Sequence, residues 1–373
     1  MSAQLATQNV KRILVMAGGT GGHVFPALAV ADELRTQGVE VVWMGTRAGL
    51  EADVVPRAGY DMEWVSIGGL RGKGPLSLLL APFKLAAAMM EALAIVMRRR
   101  PMVVLGMGGF VTGPGGLIAR LLHKPLMIHE QNAIAGMTNR WLARLASKVL
   151  EAFPGTFPAS SGAIATGNPV RETIAAIPPP EQRMAGRAGP LRLLVVGGSL
   201  GAQVFNQVVP EAVKRLPRQQ TPPEIWHQAG KRNIDAAREC YQKAGVTGRV
   251  EPFIDDMAAA YAWADLVLCR AGALTVSELA AAGVASILVP YPFAVDDHQT
   301  HNAAYLSEAG AALHVPQGEF TVDKLSDLLA DFCQDIDQGR QRLLEMARAA
   351  RAKAKPESTR EVAAWCMRLM EQA

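Results

Sequence analysis

Short apolar runs alternate with helical patterns along nearly the whole chain. Residues 12–17 (RILVMA) form such a run and stop at Gly18-Gly19; residues 24–34 follow a helical pattern, and 39–44 (VEVVWM) form a second run. Further runs lie at 102–105, 125–128 and 148–151. Short apolar runs between helices predict a parallel sheet covered on both faces. The opening then recurs. Residues 191–196 (LRLLVV) lead into Gly197-Gly198-Ser199-Leu200-Gly201, a helical stretch covers 202–216, and strand candidates follow at 224–227, 250–253, 266–269 and 286–289. Two copies of strand, paired glycine, hydroxyl residue, glycine and helix predict two Rossmann-like α/β domains. Residues 153–180, rich in Pro, Gly, Ser and Ala, read as the linker. The expected division is 1–165, 166–355 and a tail, 356–373, whose helix at 360–370 can pack back on the N-terminal domain.

Composition agrees with two large cores. Half of the 373 residues are apolar and 19% are charged, which excludes a disordered chain. The four cysteines, Cys240, Cys269, Cys333 and Cys366, are far apart and read as reduced thiols without structural zinc. Net charge is +4 from 38 basic and 34 acidic residues, too balanced to argue for nucleic acid. Residues 1–10 are polar, with no apolar core of a signal peptide. The least polar stretch, 76–97, contains Pro82, Lys84 and Glu91, so it is not expected to span a membrane.

The glycine loops carry the first chemical signal. Gly18-Gly19-Thr20-Gly21-Gly22-His23 follows a strand and opens a helix, the arrangement that offers backbone N–H groups to a phosphate. It is neither a Walker A loop nor a full G-x-G-x-x-G, because Val24 takes the third glycine's place. Gly45-Thr46-Arg47 ends the next strand without an acid, which excludes ordinary NAD binding but tolerates the 2′-phosphate of NADP. A second loop, 106–116, holds Gly108, Gly109, Gly113, Gly115 and Gly116, and suits close backbone approach to a ligand or membrane face. The third, 197–201, lies in the second domain. His23 at a helix N-terminus favours a neutral imidazole, fit for a general base; capping its own helix is the plain alternative. Ser199 can cap its helix or bond a diphosphate oxygen. Glu278 can accept both hydroxyls of a ribose or simply complement a helix dipole.

The runs GGTGGHVFPALA, GLRGKG, GGFVTGPGG, IHEQNAIAG, TGNPVR, GGSLGA, FIDDMAAAYAWADLVLCRAGALTVSE and DDHQTHNA occur in this order over nearly the whole chain. Together they resemble the MurG family of bacterial N-acetylglucosaminyltransferases, which convert lipid I to lipid II in peptidoglycan assembly. The resemblance implies a GT-B fold, two Rossmann-like domains facing each other across a cleft. It implies UDP-N-acetylglucosamine as donor, held mainly by the C-terminal domain, and an undecaprenyl-diphosphate-linked muramoyl-pentapeptide as acceptor. His23 then matches the catalytic position. Thr20, Gly21, Gly22, Asn132, Arg171, Ser199, Ile254, Ala273, Leu274, Thr275, Val276, Ser277, Glu278 and Gln299 match the donor side, with Glu278 on the ribose, Gln299 on the sugar and Ile254 beside the uracil. His298 stands where some relatives carry a second glutamine. No cofactor or metal is implied; Asp335-Ile336-Asp337 has no strand before it, and His298 and His301 lack a third ligand.

Two rival functions remain at this point. An NADP-linked oxidoreductase would use Thr46 and Arg47 but leaves the third loop and Glu278 unexplained. A UDP-sugar-binding scaffold without turnover would lose nothing on His23→Ala. Leu76, Leu79, Leu80, Phe83, Ala87 and Met90 recur at helical spacing beside Arg71, Lys73, Lys84 and 98–100 (RRR). Most of this stripe is expected to pack on the sheet, with one edge facing an anionic leaflet, peripherally on the cytoplasmic face of the inner membrane.

Overall fold

The structure is a computed structural model that describes residues 10–68, 80–198 and 201–372. The chain forms two compact units, residues 1–171 with 357–373, and residues 172–356.

The N-terminal unit is built on seven parallel strands: β1 (Arg12–Met16), β2 (Glu40–Gly45), β3 (Asp61–Trp64), β4 (Val103–Gly106), β5 (Leu126–Glu130), β6 (Lys148–Glu151) and β7 (Ile164–Ala165). Their order in the sheet is β3-β2-β1-β4-β5-β6-β7. Alternate strand residues face opposite sides. Ile13, Val15, Val41, Trp43, Val103 and Leu105 pack with Val24, Ala27, Ala31 and Leu34 of helix Gly21–Thr36. Val362, Ala363, Cys366 and Met370 of the last helix, Ser358–Glu371, complete this layer, so the chain's end belongs to the first unit. On the other face Leu14, Met16, Val42, Met44 and Val104 meet Ala88, Ala92, Ile95 and Val96 of helix Ala81–Arg99.

The C-terminal unit repeats the plan with β8 (Arg192–Val196), β9 (Glu224–Gln228), β10 (Arg249–Glu251), β11 (Leu266–Cys269), β12 (Ala285–Leu288) and β13 (Ala312–His314). The order is β10-β9-β8-β11-β12-β13, again all parallel. In both sheets the chain leaves the first strand in one direction and later returns to its other side. The loops after β1 and β8 therefore lie at the topological switch points, where such sheets bind ligands.

Three expectations change. Residues 153–180 are not bare linker: β7 pairs with β6, and the Thr156 hydroxyl donates to the Phe153 and Asn132 carbonyls at 2.8 and 3.2 Å. The glycine-rich run after β4 is a loop only to Val111, because Thr112–Leu121 is a helix. Gly115 and Gly116 are buried inside it, where a Cβ would strike Met16 and Met44 or Leu142, so these glycines serve helix-to-sheet packing. Of the apolar stripe, Leu76 and Leu79 lie outside the described residues, and Leu80, Phe83, Ala87 and Met90 are exposed. The helix buries Ala88, Ala92, Ile95 and Val96 instead, and leaves Phe83 and Met90 outward.

Candidate functional site

The first glycine loop is held from below by an acid that sequence reasoning did not single out. Glu51 is fully buried at the start of helix Glu51–Arg57. Its Oε2 accepts from the Gly19 N–H at 2.8 Å; its Oε1 accepts from the Thr46 N–H at 2.9 Å and the Thr46 hydroxyl at 2.7 Å. A Cβ at Gly18 would lie 2.6 Å from Oε1, and one at Gly45 would lie 2.7 Å from the Glu51 stem. The only advance signal was small residues at all these places. Thr46 is thus committed to Glu51, and the Arg47 guanidinium lies over the Trp64 ring at 4.9 Å, an arrangement that gives an NADP phosphate no evident seat.

Thr20 is extended and makes no side-chain cap, and its carbonyl accepts from His23 and Val24. Helix Gly21–Thr36 therefore begins with an uncapped, electropositive first turn beside Thr20, Gly21 and Gly22. The loop after β4 closes over it. Gly108 and Gly109 have φ of +103° and +90°, which side chains rarely adopt. A Cβ at Gly109 would lie 2.5 Å from the Gly18 carbonyl oxygen, and one at Gly108 would lie 2.5 Å from His23 Nδ1. Among the described residues, a Cβ at Gly113, in the helix, would meet the Thr138 methyl at 3.6 Å.

The carboxyl end of β5 supplies the third side. His23 Nδ1 lies 2.9 Å from Gln131 Oε1, and Gln131 Nε2 lies 3.1 Å from His129 Nδ1. Burial pushes the His129 pKa down to about 4. Glu130, buried, accepts from the Asn132 N–H at 3.0 Å, Asn132 Nδ2 at 3.1 Å, the Gly136 N–H at 3.1 Å and Asn139 Nδ2 at 2.8 Å. Asn132 is thereby fixed close to Gln131. Arg171 is half-buried at the last residue of this unit before residue 172.

In the C-terminal unit, Gln228 Nε2 donates to the Gly198 carbonyl at 2.9 Å, and Gly201 N–H donates to the same oxygen at 3.0 Å. Ser199 lies outside the described residues. Helix Ala273–Ala282 starts from Gly272, which has no side chain to cap it. Ala273 and Val276 are buried, Leu274, Thr275 and Ser277 half-buried, and the Ser277 hydroxyl donates to the Ala273 carbonyl at 3.0 Å. The Tyr261 hydroxyl donates to Oε2 of the buried Glu278 at 3.1 Å, orienting that carboxylate. Arg270 braces the preceding loop through the Val289 and Pro290 carbonyls and Gln317 Oε1. Gln299 Oε1 accepts from the Tyr291 N–H at 2.9 Å, which leaves its NH2 to donate elsewhere. Ile254 is buried in the turn after β10. Among the described residues, Asp335 Oδ1 caps helix Ile336–Ala352 by accepting from the Asp337 and Gln338 N–H groups, and no group of three His, Cys, Asp or Glu side chains could hold a metal ion.

If Glu51 holds the first loop, Glu51→Gln presents an NH2 to donors that need an acceptor. The expected loss is about 1–3 kcal/mol in urea unfolding of the N-terminal unit. An unchanged unfolding midpoint would show that the loop is held by other contacts.

Residues 13–151 match the Glycosyltransferase family 28 N-terminal domain and residues 192–362 match the Glycosyltransferase family 28 C-terminal domain. A protein of Marinobacter nauticus is 56% identical over 357 residues, 96% of this chain and 97% of its own; one of Nitrosococcus oceani is 56% identical over 356 residues, 95% and 98%. Both are named UDP-N-acetylglucosamine--N-acetylmuramyl-(pentapeptide) pyrophosphoryl-undecaprenol N-acetylglucosamine transferase. The crystal structure of Acinetobacter baumannii MurG superimposes with a TM-score of 0.82 at 43% identity, covering 96% of this chain and 99% of that one. With two parallel Rossmann-like units and both family 28 domains in order, the chain has the GT-B fold and belongs to the MurG family of glycosyltransferases.

Proposed function

We infer that this chain transfers N-acetylglucosamine from UDP-N-acetylglucosamine to the muramoyl 4-hydroxyl of an undecaprenyl-diphosphate-linked muramoyl-pentapeptide, making lipid II from lipid I. The observation that carries this reading is 56% identity, over almost the full length of both chains, to relatives named for that transfer. The geometry supplies groups suited to each part of it.

In the C-terminal unit, the uncapped start of helix Ala273–Ala282 suits the donor diphosphate, and residues 273–277 line it. Glu278, oriented by Tyr261, accepts from the ribose hydroxyls, Gln299 donates to the sugar, and Ile254 lies against the uracil. Ser199, outside the described residues, is assigned to the same diphosphate from the family resemblance alone. The N-terminal unit supplies His23 as base, Gly108 and Gly109 as the surface approached by the acceptor diphosphate, and Thr20, Gly21, Gly22, Asn132 and Arg171 as polar groups toward the donor. The acceptor O–H bond breaks, its proton passes to the imidazole, and the oxygen bonds the anomeric carbon. The bond from that carbon to UDP breaks, and its electron pair leaves on the β-phosphate. One displacement inverts the anomeric centre. Backbone N–H groups aimed at the leaving diphosphate favour the transition state over the ground state.

The acceptor's lipid tail calls for contact with a bilayer. No helix among the described residues is long and apolar enough to cross one. Helix Ala81–Arg99 exposes Phe83 and Met90, each 72% accessible, with Met97 further along the same side. Lys84 and Arg100 add positive charge near this face, whereas Arg98 and Arg99 pair with Glu63. Such a face suits peripheral insertion into the anionic cytoplasmic leaflet, each nearby cation adding about 1 kcal/mol.

The transfer itself is read with labelled UDP-N-acetylglucosamine and a lipid I analogue. Folded protein that moves no label in detergent or lipid contradicts the reading. In the same assay Glu278→Ala is expected to raise the donor KM by about 10-fold or more with a smaller change in kcat, because a ribose contact exists before and during the reaction. Collapse of kcat at unchanged KM would remove Glu278 from the ribose. Phe83→Glu with Met90→Glu is expected to abolish flotation with anionic vesicles while UDP binding persists; undiminished flotation would move the membrane face elsewhere.

A further inference from the structure

A line of hydrogen bonds leads from His23 into the buried end of β5, and its donors and acceptors can be assigned one by one. His129 is fully buried, and its Nε2 lies 2.9 Å from the Gly167 carbonyl oxygen. A carbonyl only accepts, so Nε2 carries the hydrogen. Burial keeps this ring neutral near pH 7, its pKa pushed down to about 4, so Nδ1 holds a lone pair. Gln131 Nε2 lies 3.1 Å from that lone pair and 3.1 Å from the His129 carbonyl oxygen. Both neighbours accept, which fixes the NH2 side of the amide. Gln131 Oε1 is then the atom 2.9 Å from His23 Nδ1. Oxygen accepts there, so Nδ1 of His23 carries hydrogen, and in the neutral ring Nε2 keeps the lone pair.

We propose that Gln131 and His129 are positioning residues: with the Gly167 carbonyl they fix the Nδ1–H tautomer of His23 and hold its Nε2 lone pair available for the acceptor hydroxyl proton. The inference rests on the reading of His23 as base. Its logic parallels the acid that orients a histidine in hydrolase triads, but with an uncharged amide in the acid's place. The nearby carboxylate is not aimed at His23: Glu130 is occupied by Asn132, Gly136 and Asn139. Gly108 packs against the same Nδ1 edge of the ring, where even a methyl would lie 2.5 Å from Nδ1. Ring and amide therefore face each other in one arrangement. If the tautomer were reversed, Nε2 would present a hydrogen to the hydroxyl and could not take its proton.

The tautomer can be read directly from nitrogen chemical shifts of the full chain labelled with 15N-histidine, at about pH 8.5, above the ordinary imidazole range. The His23 signals are assigned by their loss in His23→Gln. The expected result is a protonated Nδ1 and an unprotonated Nε2. Gln131→Met removes the acceptor at similar volume; it is expected to move hydrogen to Nε2 in much of the population and to lower kcat about 10- to 100-fold, with the donor KM within about 2-fold. Gln131→Glu keeps an acceptor oxygen toward His23 in either charge state and is expected to retain the tautomer and kcat within about 5-fold. A wild-type protein with hydrogen on Nε2 overturns the proposal without any variant, as does Gln131→Met with unchanged kcat. The two readings separate cleanly. Hydrogen on Nε2 with an inactive His23→Gln sinks the positioning role alone, whereas full transfer by His23→Gln sinks the base and the relay with it.

Discussion

A parallel sheet brings the carboxyl ends of all its strands to one edge, and this constraint arranges the chemistry of both units. In the first, β1 delivers the loop at 18–23, β2 delivers Thr46, β4 delivers Gly108 and Gly109, and β5 delivers Gln131 and Asn132. In the second, β8 delivers Gly197 and Gly198, β9 delivers Gln228 and β11 delivers Arg270 and the helix that carries Glu278. His23 and Gln131, Gly19 and Glu51, and Gly198 and Gln228 are each far apart in sequence. The strand order alone makes neighbours of His23 and Gln131.

Loops crowded along one edge leave many backbone N–H groups without strand or helix partners, and burial makes each of them costly. In the N-terminal unit, buried carboxylates meet this need. Glu51 collects Gly19 and Thr46; Glu130 collects Asn132 and Gly136; Glu151 accepts from the Gly155 and Phe157 N–H groups, both at 2.9 Å. Charged acceptors make the stronger hydrogen bonds, so each acid stiffens the loop above it. Stiffness is what a base and a diphosphate site require, since a displaced group loses most of its effect on the transition state.

The sequence made the central strands legible because both faces of β1, β4, β8 and β11 are covered, which forces continuous apolar runs. It did not disclose β3, β7 or β13. These are edge strands, short and partly exposed, and DMEW or ALH leaves no such run. The helix at Thr112–Leu121 was hidden by three glycines and a proline that signal a loop, although Gly115 and Gly116 are there because Met16, Met44 and Leu142 leave no room for a side chain. His23 and Glu278 stood out by position beside helix starts. Gln131 and His129 lay inside a quoted motif but gave no sign of their task, because hydrogen-bond direction depends on burial and on Gly167, 38 residues beyond His129. Glu51 looked like any acid in a first turn; only its burial among glycines reveals the clamp.

The central claim is that the His23 imidazole removes the acceptor proton, and chemical rescue tests it most directly. His23→Gly opens a space where free imidazole can take the missing ring's place, and transfer is measured with and without it. The account predicts a loss of kcat of about 100-fold or more in His23→Gly, with donor binding retained, and partial recovery on adding imidazole. Transfer by His23→Gly at the wild-type rate, with no response to imidazole, would contradict it.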